Sequence, residues 1–153
     1  MNPYQRYAES NTLEQSPEQL VVALYQCAAD NVFAAERFNR CGDHIARGQA
    51  VNRALDVLTE LTMSLNDGVE LSDRLRDLYG YMQHRLLESH IEQSSSKMLE
   101  VASLITTLLS AWKEVATSAQ FPRAAYKASD ELAAELVATA AVPCPAAVAY
   151  GKF

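Results

Sequence analysis

Three histidines, His44, His84 and His90, and three cysteines, Cys27, Cys41 and Cys144, are the side chains here best suited to hold a metal or attack a substrate. Only His84 and His90 share a predicted helix. Six residues of helix turn through about 600°, so their imidazoles leave the axis in different directions and cannot grip one ion. Glu88 stands four residues after His84 and can pair with it on one face, but no second carboxylate and histidine set exists to complete a di-metal site. There is no glycine-rich phosphate loop, no GxSxG elbow and no cysteine beside a helix-start histidine. Five glycines leave little loop from which to converge polar groups on a substrate. The expectation is a protein without catalytic residues, metal ligands or cofactor.

The cysteines point the same way. Cys27 and Cys41 lie fourteen positions apart on one predicted helix, roughly 21 Å, which no disulfide spans. Cys27 sits on the apolar face of that helix, where a cysteine is usually a small buried hydrophobe, and reduced thiols in a reducing compartment are expected. A net charge of -6 and the absence of a Lys/Arg cluster exclude a general nucleic-acid binder, which needs a basic stripe against phosphates. The amino-terminal residues lack the order of a secretory signal, and no run approaches the roughly eighteen apolar residues of a membrane span. A cytoplasmic protein with no membrane insertion is expected.

The elements that would carry these side chains are helices. Ser16, Pro17 and Gln19 in SPEQL form a capping box with proline at the first helical position, and apolar residues recur at helical spacing to Phe38 before Gly42 stops the run. The spacing predicts helices over about 17–41, 44–66, 71–91 and 97–117, separated by short polar breaks that include NDG at 66–68 and QSSS at 93–96. Short connections make successive helices antiparallel, so the predicted fold class is all-α, an antiparallel up-down four-helix bundle. The bundle unit is placed at 1–118, with residues 1–16 as a segment ahead of the first helix. Residues 119–153 read as an alanine- and proline-containing tail. Within it, a short helix over 130–140, capped by Ser129, would carry Leu132 and Leu136 on one side.

Aromatic placement is the remaining signal. Tyr79 and Tyr81 bracket Gly80 inside the third helix, where glycine costs up to about 1 kcal/mol relative to alanine. Gly80 either relieves crowding between helices or lets a partner segment lie across it. Tyr79 reads as core, whereas Tyr25 and Tyr81 are placed near the edge of the bundle. Ahead of the first helix, NPYQRY carries Tyr4 and Tyr7 with no helix of their own.

The ordered pieces NPYQRY, SPEQLVVALY, ELTMSLN, LRDLYGYMQHRLLESHI and LEVASLITTLLSAWKEV resemble the FliS family of flagellin-specific export chaperones, over residues 2–117. LYGYMQHRL and SAWKE are the most specific of them. The resemblance implies a cytosolic helical bundle, not an enzyme, that holds the disordered carboxy-terminal region of flagellin, prevents premature polymerisation and presents it to the export apparatus. Recognition of this kind lays helices into apolar grooves and needs a large surface to offset the ordering of the client.

The resemblance also implies that the amino-terminal segment caps part of the apolar surface when no client is present and contributes to docking on an export gate component. Those roles would fall on Tyr4 and Tyr7. Tyr25, Leu61, Leu65, Leu78, Met82 and Leu109 are expected as a sample of the partner-binding interhelical surface. The stretch NDGVELSD between the second and third helices has one glycine where family members commonly have more. Leu132 and Leu136 of the tail would either occupy the client groove in cis or attach only loosely. The alternative to a flagellin chaperone is a helical adaptor that binds another flagellar export or regulatory protein through the same groove.

Overall fold

A computed structural model of the chain describes residues 16–118 and 122–127. It contains four helices, α1 (Pro17–Cys41), α2 (His44–Met63), α3 (Glu70–Glu92) and α4 (Ser95–Ala116), followed by a single 3-10 turn at Arg123–Ala125. Helix α1 packs on α2 and α4, and α3 closes the square through narrower interfaces with the same two helices. The predicted all-α four-helix bundle is therefore the fold. Residues 1–15 of the expected amino-terminal segment (1–16), and the expected short carboxy-terminal helix (130–140), lie outside the described residues.

Local chemistry sets most boundaries. Ser16 Oγ accepts from Gln19 N at 3.3 Å while Gln19 Oε1 accepts from Ser16 N at 3.1 Å, which satisfies two of the amides that a helix start leaves without partners. Gly42 ends α1 at φ 74°, a left-handed conformation costly for residues with a Cβ. Asp43 then caps α2 through Ala46 N, and Ser94 caps α4 through Lys97 N.

Helix α2 stops at Met63 rather than continuing to Asn66, and the cause is non-local. Asn66 N donates to Ala125 O at 2.8 Å and Lys127 N donates to Ser64 O at 2.9 Å, so residues 64–66 pair with the segment after α4 instead of continuing the helix. Leu65 and Tyr126 form an isolated antiparallel bridge there. Residues 122–127, assigned to the tail from sequence, thus pack onto the bundle.

The core runs the length of the four helices. Val21, Tyr25, Val32, Val51, Leu58, Leu61, Tyr79, Met82, Leu86, Met98 and Ile105 are almost wholly buried. Each large aliphatic side chain so placed contributes about 1.5–3 kcal/mol. At the end where α1 and α3 finish and α2 and α4 begin, Arg47 is buried and donates to Asn39 Oδ1 (2.9 Å), His44 Nδ1 (3.0 Å) and His90 Nδ1 (3.3 Å). Asn39 Nδ2 donates to Gln93 O and Ser95 Oγ, both at 2.9 Å, so one polar network ties all four helix ends together.

Cys41 is a free, exposed thiol. Cys27 is disulfide-bonded, which corrects the expectation of reduced thiols. Cys27 is half-buried on α1.

Candidate partner-binding site

An aromatic cluster occupies the end of the bundle opposite the Arg47 network. Tyr25 of α1 and Tyr79 of α3 share a short hydroxyl hydrogen bond, and Tyr79 Oη lies 3.4 Å from Tyr126 Oη. Trp112 of α4 stacks near Tyr25 with ring centroids 6.3 Å apart and meets Tyr126 edge-on at 5.8 Å. Burial pushes all three phenols above their ordinary range, because a phenolate would be desolvated there. They are neutral packing and hydrogen-bonding groups. Tyr25 is fully buried and not at the bundle edge: as one of the early residues of α1 it faces the diagonal helix rather than solvent.

The other expected contact residues divide in the same way. Leu61, Leu65, Met82 and Leu109 are buried in the core, and Leu78 is half-buried against it. Tyr4 and Tyr7 lie outside the described residues. Helical period predicts which positions turn inward, but a core and a groove share that period.

Among the described residues, half of the large exposed apolar side chains belong to α3: Leu71, Tyr81, Leu87 (45% exposed) and Ile91 (77%). Gly80, Leu87 and Ile91 stand at i, i+7 and i+11 and share one stripe of that helix. A Cβ added to Gly80 would meet nothing within 4 Å. Gly80 therefore relieves no crowding inside the bundle, and the backbone there is open to approach. The sequence signal for this surface was the glycine itself, followed at helical spacing by two apolar residues.

Charges frame the stripe on its α4 side. Glu100 accepts from Tyr81 Oη at 2.5 Å and from Arg85 Nε at 2.8 Å, and Lys97 reaches Glu92 at 2.6 Å. The hydrogen bond from Tyr81 and then that from Arg85 hold the Glu100 carboxyl below its ordinary range. His84 Nε2 lies 3.3 Å from Glu88 Oε1, the pairing expected from their spacing. Among the described residues no three His, Cys, Asp or Glu side chains converge as a metal site would require. No described helix is long and apolar enough to cross a membrane.

The fold and this surface define a four-helix bundle with apolar side chains and an open stretch of backbone exposed on α3. A family model described as flagellar protein FliS matches residues 1–119, and the chain belongs to that family. It is 29% identical over 116 residues to the flagellar secretion chaperone FliS of Salmonella typhimurium, covering 74% of this chain and 86% of that protein. The flagellar secretion chaperone FliS of Bacillus subtilis is 26% identical over 117 residues (76% and 88% covered), and that of Escherichia coli is 29% identical over 109 residues (69% and 80%). These relatives are chaperones of flagellar secretion.

Proposed function

We propose that this chain is a cytoplasmic flagellar export chaperone that holds the disordered carboxy-terminal region of flagellin, keeps it from polymerising prematurely and hands it to the export apparatus. The observation that carries the reading is membership of the FliS family across residues 1–119, including the amino-terminal NPYQRY. Binding needs no cofactor in this account. A disordered client loses conformational entropy on docking, and apolar contact over a broad surface offsets that loss. The open stripe of α3, with Gly80, Leu87 and Ile91, supplies part of such a surface.

Tyr4 and Tyr7 act in this account as a displaceable cover and as part of the contact with an export gate component. Burying each ring contributes on the order of 1.5–3 kcal/mol, enough to shield apolar surface yet weak enough to yield to a longer client. The test is a pull-down of flagellin from a flagellated cell extract with the tagged wild-type chain and with Tyr4→Ala/Tyr7→Ala. Wild type is expected to retain flagellin. The double variant should keep its helical circular dichroism and change the amount retained. Failure of the wild type to capture flagellin overturns the reading, and a double variant that unfolds makes the tyrosines a permanent plug.

A further inference from the structure

Residues 122–127 are held in the manner of a bound peptide. Two main-chain hydrogen bonds join the segment to residues 64–66: Asn66 N to Ala125 O at 2.8 Å, and Lys127 N to Ser64 O at 2.9 Å. The side-chain amide of Asn66 donates to two further carbonyls, Ala124 O at 3.0 Å and Tyr126 O at 2.8 Å. Ser72 Oγ, at the start of α3, donates to Ala125 O at 2.8 Å from a fully buried position. Every one of these hydrogen bonds reads main chain and so does not itself depend on the segment's side chains. Selectivity rests on two side chains: Tyr126, which enters the aromatic cluster of Tyr25, Tyr79 and Trp112 and is 3% exposed, and Ala125, whose buried methyl leaves room only for a small residue. Main-chain pairing with a single aromatic anchor is the logic by which domains add an extended peptide to an exposed edge. The segment also lies past residue 119, where the family match ends.

We propose that residues 64–66, Ser72 and the Tyr25, Tyr79 and Trp112 cluster form a slot for an extended peptide segment bearing an aromatic side chain, and that residues 122–127 fill this slot in cis. The segment is an autoinhibitory occupant. It holds the slot through its high effective concentration, and a partner segment of the same chemistry enters when it leaves. This is independent of which flagellar protein the α3 stripe receives.

Trp112 is the one tryptophan in the chain and touches the anchor, so its fluorescence reports occupancy. The probe is a synthetic peptide of residues 120–129 (QFPRAAYKAS), titrated into the full chain, into the chain cut after residue 121 and into full-length Tyr126→Ala. The expected result is saturable binding to both variants with a blue shift of Trp112 emission. Binding to the unmodified chain should be weaker by about tenfold or more because the cis segment competes. A peptide with alanine in place of Tyr126 should not bind. The proposal is overturned if the folded variants leave Trp112 emission unchanged on adding peptide, or if the unmodified chain binds equally well. Loss of helical circular dichroism in both variants also overturns it, since residues 122–127 would then be permanent core.

Discussion

His90 offers its Nδ1 to the guanidinium of Arg47 and must be neutral to do so. Burial first, and the Arg47 charge second, hold its imidazole below the ordinary value of 6.5. The unfolded chain therefore takes up this proton before the folded one does. The stability His90 contributes is complete above about pH 6.5 and is lost as pH falls from there through its lower folded value. Arg40 is already paired with Glu36, and Lys97 with Glu88 and Glu92, which leaves Arg47 as the charge acting on this ring. Thermal melts between about pH 7.5 and 5.5 should show a falling Tm for wild type and a flatter profile for His90→Asn, whose Oδ1 can accept from Arg47 but does not titrate. Glu88 and Glu100 have the opposite charge type but also lie below their ordinary carboxyl values, so their contribution is present above about pH 4.5 and fades only on further acidification. The two windows separate the imidazole from the carboxylates.

Among the elements, α3 has the narrowest packing and the most open apolar surface. Gly80 is in its interior with open space over it, so Gly80→Ala adds helix propensity without a clash and should stabilise the folded chain by about 0.5–1 kcal/mol in urea unfolding. If a client backbone crosses there, the same methyl weakens client binding. A variant that is more stable and binds more poorly separates contact from packing, and one that is more stable and binds unchanged moves the client off Gly80. Helix positions were legible from the sequence because their causes are local: the Ser16 capping box, Gly42 and the polar breaks act within a few residues. Which apolar residues face out was less legible. Met82 and Leu87 lie five positions apart, about 140° around the helix, so the period separates their faces, but which of the two apolar faces is buried is decided by the packing of α2 and α4.

At the scale of the molecule, one end of the bundle is closed by polar hydrogen bonds around Arg47 and the other by aromatic packing around Tyr126. The polar end could not be foreseen from spacing because Asn39, His90 and Ser95 meet only once the helices are antiparallel. The aromatic end was missed because Tyr126 sits in a six-residue segment with no period and finds Tyr79 at a sequence separation of 47. Such contacts leave no local trace, whereas the family motifs in NPYQRY and LYGYMQHRL could be read directly. The account rests on a bundle that orders a disordered client on an apolar surface. Calorimetric titration of the chain with the carboxy-terminal region of its cognate flagellin, followed by circular dichroism of the mixture, measures this most directly. The account predicts saturable binding with a negative heat-capacity change and more helix in the mixture than in the separate components. No heat of binding across temperatures, together with a spectrum equal to the sum of the parts, would contradict it.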